Sequence, residues 1–507
     1  MKEANVIFDK DFVIGNVDRR LFGSFAEHLG RCVYGGFHEP KHETADKNGF
    51  RGDVKKLIKE LGVTAIRYPG GNFVSGYDWK DGVGPKSERP HRKELAWNVI
   101  ETNEVGTNEF AAYLKELDIE MLMAVNLGTG TPREAGELIE YCNVASGTYW
   151  SDKRREHKVE EPHNFKTWCL GNEMDGDWQI CMRTAKEYAR LCKETAKIAK
   201  WIDPSVEIIA CGSCTNEVGH KTFGEWDQEV LEECYDYIDY LSLHRYFNYN
   251  PKTHLAYEMH DTIADIPFFF KDLQNYLDTV IAACDFVKGK KRSNKTINIS
   301  FDEWGVITET SAIPGGVNQE YKYASFKALD AMIYGGILCT FLNNADRVKI
   351  ACQSLLVNEG GMITTDPKGK AIRQTTFYPF QDVAKYAKGK VLKGSVSLPL
   401  KETEHHGEQE SMVVSSTYDE ENGTITVFAA NSDLEEDTIL TLELRSFGEV
   451  TSVGWRELFD EDPYARNTFE DEFRVVPKDK TLPDIVEGKI SLVLKKHSWN
   501  VLRFKVK

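Results

Sequence analysis

Two glutamates occupy positions where a pair of carboxylates could do chemistry. Glu173 follows the apolar run 167–170, and Glu303, 130 residues further along, follows the apolar run 297–301. Hydrolysis of a glycosidic bond uses such a pair, because one carboxyl group protonates the leaving oxygen while the other attacks the anomeric carbon or activates water. The pattern therefore predicts glycoside hydrolysis, provided that the fold brings the two side chains together.

Other polar side chains are placed in the same way relative to apolar runs. Asn172 directly precedes Glu173, where its amide could hydrogen-bond a sugar hydroxyl. Arg67 lies in the run 64–68, and Tyr246 comes soon after the run 240–244. Either side chain could hydrogen-bond the second carboxylate and keep it ionised.

Positioning these groups requires a fold that collects strand ends at one place. Short apolar runs alternate with amphipathic stretches, as in 53–61, 186–201 and 321–333, which is typical of a parallel sheet covered by helices. Eight such runs predict a (β/α)₈ (TIM) barrel, whose chemistry lies at the carboxyl ends of the strands, and an open doubly wound sheet is the alternative. The predicted strands are residues 21–26, 64–68, 120–126, 167–170, 207–211, 240–244, 297–301 and 336–341.

The pattern changes near residue 376. From Met412 onward, short alternating strands are separated by turn residues such as Glu421-Asn422-Gly423, which predicts a C-terminal β-sandwich (jelly roll). The first 15 residues also have strand character, and we expect them to join the sandwich. The predicted domains are therefore N-terminal strands at 1–15, a catalytic barrel at 16–376 and a sandwich at 377–507.

Composition excludes several classes of function. The chain of 507 residues has 80 acidic and 63 basic side chains, a net charge of −17, which argues against nucleic acid or an anionic membrane as a partner. No apolar run reaches the ~18 residues of a membrane span, and the N-terminus lacks the pattern of a signal peptide. Eleven scattered cysteines favour a reduced, cytoplasmic protein.

Several longer motifs resemble one known family. The chain is similar to the intracellular α-L-arabinofuranosidases of glycoside hydrolase family 51, and the resemblance extends over its whole length. The matching segments are Phe22 to Gly36, Arg67-Tyr68-Pro69-Gly70-Gly71-Asn72-Phe73, Trp168 to Gly176, Ser242-Leu243-His244-Arg245-Tyr246, Phe301-Asp302-Glu303-Trp304, Asn344-Ala345-Asp346-Arg347-Val348 and His497-Ser498-Trp499-Asn500-Val501.

The resemblance implies a retaining, exo-acting α-L-arabinofuranosidase that needs no metal or cofactor. It would act on terminal arabinofuranosyl residues of oligosaccharides derived from arabinan or arabinoxylan, and family members are commonly homo-oligomers. The resemblance implies that Glu173 is the general acid/base and that Glu303 is the nucleophile. It also implies that Tyr246 positions the nucleophile and that His244 and Arg67 belong to the hydrogen-bonded shell around the nucleophile. The implied ligands of the sugar hydroxyls are Glu27, Asn72 and Asn172.

Two further residues are candidates for substrate binding. Trp97 could provide an aromatic platform for the apolar face of a sugar. The family pattern places a sugar-binding glutamine where this chain has Leu355, so we take the nearby Gln353 as the candidate. The family also includes proteins described as endoglucanases. An endo-acting β-1,4-glucanase or xylanase on the same scaffold is therefore one alternative, and a non-catalytic carbohydrate-binding protein is another.

Two short motifs could suggest metal or redox chemistry instead. His38-Glu39-Pro40-Lys41-His42 matches the H-E-x-x-H pattern of zinc proteases, but Pro40 would disturb the helix on which that site depends. Cys211-Gly212-Ser213-Cys214 is a lone C-x-x-C, whereas a structural zinc site requires a second pair. We therefore predict no metal site from either motif.

Overall fold

Eight parallel strands close into a barrel at the centre of the molecule. The computed structural model describes residues 1–217, 219–249, 261–312, 322–367 and 369–507. Each barrel strand pairs in parallel with its neighbours in chain order, and the eighth pairs with the first, so the predicted (β/α)₈ barrel is confirmed. The strands are β1 Gly23–Phe25, β2 Ala65–Tyr68, β3 Glu120–Val125, β4 Thr167–Leu170, β5 Glu207–Cys211, β6 Tyr240–Phe247, β7 Asn298–Val306 and β8 Val348–Gln353.

The prediction was right for seven strands and wrong for the eighth. The apolar run 336–341 lies within the helix Ala328–Leu342, every residue of which is buried, and β8 begins only at Val348. This helix packs against barrel helices and against strands of the C-terminal domain, so it is apolar all round and lacks a 3.6-residue period. Residues 343–346 consequently precede β8 and lie at its amino end, whereas a strand at 336–341 would have placed them at the mouth of the barrel.

The barrel helices follow from ordinary amphipathic patterns and caps. In Gly52–Leu61, Val54, Leu57, Ile58 and Leu61 form the buried stripe predicted from the sequence. Helix Ala185–Ile202 matches the prediction for 186–201, whereas the helix expected over 321–333 begins at Ala328 and residue 321 lies outside the described residues. The other helices are Thr107–Glu116, Pro132–Asn143, Tyr149–Glu156, Glu225–Cys234, Ile266–Lys291 and Phe377–Tyr386.

The C-terminal part of the chain forms a strand-rich domain with its own hydrophobic core, as predicted. One nine-stranded sheet dominates it, and the N-terminal strand pairs there, antiparallel with Lys390–Ser397 and parallel with Thr438–Glu443. In spatial order the strands are Lys478–Lys480, Val450–Leu458, Ser498–Val506, Thr424–Asn431, Met412–Asp419, Lys390–Ser397, Lys2–Asn16, Thr438–Glu443 and Lys489–Leu494.

Both domains also contain short pairs of antiparallel strands outside the two main sheets. Each consists of two strands of two or three residues. They are Arg92–Lys93 with Ile100–Glu101, Thr310–Ala312 with Lys322–Ala324, Ile363–Thr365 with Ala371–Arg373, and Leu400–Glu402 with Glu408–Glu410.

The two domains share buried contacts at their junction. Helix Phe377–Tyr386 packs against Gly52–Leu61 and Ala328–Leu342, and the indole of Trp499 donates a hydrogen bond to Asp382 Oδ2 at 3.1 Å. Because this helix packs on the barrel, we propose that the sandwich begins with the strand Lys390–Ser397. Among the described residues, none of the helices combines the length and apolar character that a membrane span requires.

Candidate active site

The two predicted catalytic carboxylates meet at the carboxyl end of the barrel, with a histidine between them. His244 Nδ1 lies 3.0 Å from Glu173 Oε1 and 3.7 Å from Glu303 Oε2. One side-chain atom from each of the three residues falls within 4.8 Å of the other two. The fold therefore brings together two glutamates that are 130 residues apart in the sequence.

An irregularity in β7 directs two consecutive carboxylates toward the same cation. Successive side chains of a regular strand point to opposite faces. The register between β6 and β7 shifts between Ser300 and Glu303, and Glu303 then lies opposite His244. As a result, Asp302 and Glu303 both approach the guanidinium of Arg67, in agreement with the tendency of β-bulges to redirect side chains near active sites.

Arg67, which is 1% exposed, organises the base of the site. It donates from Nη1 to Glu303 Oε1 at 2.6 Å and from Nη2 to Asn172 Oδ1 at 2.8 Å, and its Nε lies 3.3 Å from Asp302 Oδ2. Burial raises the pKa of Asp302, but Arg67 and His244 outweigh that effect and lower it below the usual value. Arg67 therefore fixes one oxygen of Glu303 and supports the ionised form of two acids.

The other oxygen of Glu303 is held by Tyr246. The Tyr246 hydroxyl donates to Glu303 Oε2 at 2.8 Å and also hydrogen-bonds Ser354 Oγ at 2.7 Å. The pKa of Glu303 is raised overall, and burial is the largest cause. The His244 cation, Arg67 and Tyr246 lower this pKa, whereas Glu173 raises it. Each oxygen of Glu303 thus has a donor that fixes its direction.

Glu173 is the more accessible carboxylate, and it lies on a strained turn after β4. Its side chain is 11% exposed, and its φ of 43° places a non-glycine residue in the left-handed region. The indole nitrogen of Trp178 donates to Glu173 Oε2 at 2.7 Å, while Oε1 faces His244. Both oxygens of Glu173 therefore have a side-chain neighbour, and the carboxyl group still has some contact with solvent.

His244 is surrounded by acids. Burial lowers its pKa, but Glu303, Asp302 and Glu173 outweigh burial and raise the pKa of His244 to about 10. Its Nε2 lies 3.3 Å from Ser242 Oγ and 3.4 Å from Asp302 Oδ1. At neutral pH the imidazole is therefore a cation that neutralises part of the negative charge between the two glutamates.

Glu27, Asn72 and Trp97 lie beside Asn172 and the catalytic pair. Glu27 Oε1 accepts hydrogen bonds from the backbone nitrogen of Phe73 and from the Trp97 indole, each at 2.9 Å. Burial, opposed by the Phe73 amide, raises the pKa of Glu27 to about 8. Asn72 accepts from Asn172 Nδ2 at 3.3 Å, so the two predicted amide ligands are adjacent.

Gly71 allows the backbone to pass close to the carboxylates of both Glu303 and Glu27. A Cβ at this position would lie 3.0 Å from Glu303 Oε1 and 3.4 Å from Glu27 Oε2. The space next to the carboxylates of Glu27 and Glu303 therefore depends on the absence of a side chain at residue 71.

The structure does not support the prediction for Gln353. Its side chain is fully buried at the end of β8, and its amide nitrogen donates to the Tyr334 hydroxyl at 3.0 Å and to the Gly360 carbonyl at 2.8 Å. Its oxygen lies 3.3 Å from Ser24 Oγ. Because these partners engage the whole amide, we leave Gln353 out of the proposed substrate ligands.

Three side chains at the site were missed by the sequence analysis. A regular strand would turn Asp302 away from Glu303, so its position in the sequence does not predict its contact with Arg67. Ser354 and Trp178 lie in loops, where neither hydropathy nor strand position predicts a contact. The only available signal for Trp178 was an aromatic residue five positions after Glu173.

Three groups of side chains in the described part of the chain have the donor atoms and spacing of a metal site. His38 and His42 of the H-E-x-x-H sequence belong to none of them, and residues 38–42 form turns rather than a helix. In the group formed by Glu173, His244 and Glu303, Arg67 already donates a hydrogen bond to one oxygen of Glu303. The groups are Glu173 with His244 and Glu303, Asp175 with Cys214 and His220, and Asp261 with Asp265 and His405.

Comparisons with known proteins identify the family. Residues 57–278 match the model of the α-L-arabinofuranosidase 1 domain, and residues 302–498 match that of the α-L-arabinofuranosidase C-terminal domain. Over its full length the chain is 44% identical to an intracellular exo-α-(1→5)-L-arabinofuranosidase of Bacillus subtilis, covering 99% of that protein. It is 43% identical to its counterpart in Acetivibrio thermocellus, covering 99% of each chain.

A solved structure agrees with this assignment. A family 51 α-L-arabinofuranosidase from Bifidobacterium longum is 38% identical and superposes with a TM-score of 0.91 over 99% of this chain and all of that one. The chain belongs to the α-L-arabinofuranosidases of glycoside hydrolase family 51. It is therefore a glycoside hydrolase, and the findings favour the predicted exo-acting arabinofuranosidase over an endo-acting glucanase or xylanase and over a non-catalytic binding protein.

Proposed function

We propose that this enzyme removes terminal, non-reducing α-L-arabinofuranosyl residues from arabinan- or arabinoxylan-derived oligosaccharides with retention of configuration. The observation that carries the proposal is the pair Glu173 and Glu303, whose nearest side-chain atoms lie within 4.8 Å of each other around His244. Retaining enzymes hold their carboxyl groups about 5–5.5 Å apart, whereas inverting enzymes need about 6.5–9.5 Å to admit a water molecule. The short separation supports a double displacement.

In the first step, a Glu303 oxygen attacks the anomeric carbon. The bond to the leaving oxygen breaks, and Glu173 gives its proton to that oxygen, so that a covalent arabinosyl ester forms on Glu303. In the second step, Glu173 takes a proton from water, the resulting hydroxide attacks the anomeric carbon, and the ester bond breaks to release arabinose. Arg67 and Tyr246, which hold the two oxygens of Glu303, support both its attack and its departure as a carboxylate.

The roles proposed for the remaining residues follow from their positions. Glu27, Asn72 and Asn172 would bind the hydroxyls of the arabinofuranose, and Trp97 would cover a sugar face while its indole fixes Glu27. Because the relatives from Bacillus subtilis and Acetivibrio thermocellus are named exo-α-(1→5)-L-arabinofuranosidases, α-1,5-linked arabino-oligosaccharides are the first natural substrates to test. The word "intracellular" in the names of these two relatives also supports a cytoplasmic location for this enzyme.

The test is turnover of aryl α-L-arabinofuranosides by the enzyme and two variants. Glu303→Ala should abolish hydrolysis of every substrate. Glu173→Ala should lose about 10²–10⁴-fold on substrates that need protonation and least on those with an activated leaving group. Azide should restore turnover to Glu173→Ala. Full activity in both variants, without any effect of azide, would show that these glutamates are not the catalytic pair.

Assembly is a separate part of the proposal. We propose that the chain forms homo-oligomers, as the resemblance implies. Light scattering on the purified chain is the measurement, and a mass equal to a single chain at all concentrations would contradict it.

A further inference from the structure

A second group of convergent donors lies beside the catalytic pair without taking part in it. Asp175 follows Glu173 by two residues, and Cys214 and His220 come from the segment after β5. One side-chain donor atom from each of the three falls within 4.8 Å of the other two. Neither the family assignment nor the proposed reaction uses them, so their convergence needs another explanation.

One distance within the group fits a four-coordinate zinc-type ion, and the other requires a small movement of the side chains. Cys214 Sγ lies 3.7 Å from His220 Nε2, and a tetrahedral centre with Zn–S near 2.3 Å and Zn–N near 2.0 Å separates these atoms by about 3.5 Å. The distance from His220 Nε2 to Asp175 Oδ2 is 2.7 Å, a hydrogen bond that would lengthen by about 0.6 Å when an ion replaces the shared proton.

Asp175 also has an oxygen with no protein partner among the described residues. Its side chain is fully buried, and Oδ2 accepts from His220, from Thr222 Oγ1 at 3.0 Å and from the Cys214 amide at 3.2 Å. Oδ1 is buried with no hydrogen bond in the described part of the chain. A buried polar oxygen without a hydrogen bond is costly unless a cation or water pairs with it.

The C-x-x-C motif is divided between two environments. Cys211 Sγ is buried and points to the Leu170 carbonyl at 3.6 Å, so it does not join the group. Cys214 alone faces Asp175 and His220. A thiolate, an imidazole and a carboxylate form a donor set that selects zinc-class cations over magnesium or calcium, which prefer all-oxygen sites.

We propose that Asp175, Cys214 and His220 form a binding site for a soft divalent cation of the zinc class. Three protein ligands leave the fourth position of a tetrahedral ion for water or for the hydroxyl of Thr222, which lies 2.6 Å from His220 Nε2. The site is separate from the catalytic carboxylates, although Trp178, which hydrogen-bonds Glu173, has its ring centroid 6.3 Å from that of His220.

The test uses Cd²⁺ as the probe, because a cadmium–thiolate bond produces a charge-transfer band in the ultraviolet. The full chain is reduced, treated with a chelator and titrated with Cd²⁺, and Zn²⁺ affinity is then measured by competition with a chromogenic chelator. We expect one Cd²⁺ per chain with the band, and no displacement by excess Mg²⁺. Wild-type protein that gives no band would overturn the proposal.

Three variants assign the band to residues. Cys214→Ser should lose it. His220→Ala keeps the thiol but should bind Cd²⁺ at least about tenfold more weakly. Cys181→Ser is the matched control, because Cys181 is exposed and is the cysteine most open to adventitious binding.

Two further results would contradict the site. Loss of the band in Cys181→Ser would assign it to a surface thiol, and an unchanged affinity in His220→Ala would exclude that residue as a ligand. Circular dichroism and turnover of an aryl arabinofuranoside establish that each variant is folded before it is scored.

Discussion

The hydroxyl of Tyr246 offers a precise perturbation of the proposed nucleophile. It donates to Glu303 Oε2 at 2.8 Å inside a buried site, and Tyr246→Phe removes only this oxygen. A hydrogen bond to a charged group contributes about 1.5–3 kcal/mol. Since 1.36 kcal/mol corresponds to a tenfold change in rate, we expect kcat/KM to fall by about 10- to 150-fold.

The same variant should change the pH profile in a defined direction. Burial raises the pKa of Glu303 and the Tyr246 hydroxyl lowers it, so removing the hydroxyl should raise that pKa further. Glu303 must be ionised to attack. The acidic limb of kcat/KM should therefore move to higher pH, and the loss of activity should be greatest at low pH.

The assay is the pH dependence of kcat/KM for an aryl α-L-arabinofuranoside, with Tyr141→Phe as the matched control. Tyr141 is a buried tyrosine whose hydroxyl contacts Asn108 and His157, outside the site, so this variant should keep the wild-type profile. If Tyr246→Phe also kept the wild-type rate and acidic limb, the reasoning about Glu303 would be refuted.

Three other substitutions test the surroundings of the pair. Trp178→Phe removes the donor to Glu173 Oε2 and, because the indole is 44% exposed, should reduce kcat by no more than about tenfold, chiefly for substrates with poor leaving groups. Gly71→Ala places a methyl group 3.0 Å from Glu303 Oε1 and should lower kcat/KM by about 10- to 100-fold in steady-state assays. Arg67→Leu removes a buried cation from two carboxylates, Asp302 and Glu303, and should lower the free energy of unfolding by about 3–5 kcal/mol in urea titrations.

Each of these expectations has an outcome that contradicts it. An equal effect of Trp178→Phe on all leaving groups would separate the indole from proton transfer. Wild-type kinetics in Gly71→Ala would mean that the backbone moves aside without cost. An unchanged urea midpoint for Arg67→Leu would show that the acids find other partners or take up protons.

The sequence predicted most of the barrel because its strands are short, apolar and bounded by polar residues. The same property explains the error at 336–341. A helix that is buried on every side has no polar face, so its hydropathy is that of a buried strand. Only the packing of Ala328–Leu342 between the barrel and the strand-rich domain distinguishes the two.

The candidate site divides in a similar way. Arg67, Asn172, Glu173, Tyr246 and Glu303 were predictable because each lies at or just after the end of an apolar run, and parallel strands of a barrel end at one mouth. The contacts that depend on a register shift or on loop conformation were not predictable.

Asp302, Trp178 and Gln353 illustrate those contacts. Asp302 reaches Arg67 only because β7 is irregular, and the Trp178 indole reaches Glu173 only through the conformation of the loop after β4. Gln353 was expected at the sugar from its type and position, but the side chain is engaged by Tyr334 and Gly360.

The central claim is that Glu303 forms a covalent bond to the sugar while Glu173 handles the proton. In Glu173→Ala, an aryl arabinofuranoside with an activated leaving group should still react with Glu303, but the second step lacks its base, so the ester should accumulate. The decisive measurement is mass spectrometry of this variant after rapid mixing and acid quenching, followed by peptide mapping. We predict one arabinosyl residue per chain, attached to Glu303. Attachment to another residue, or an unmodified enzyme that releases inverted product, would contradict the account.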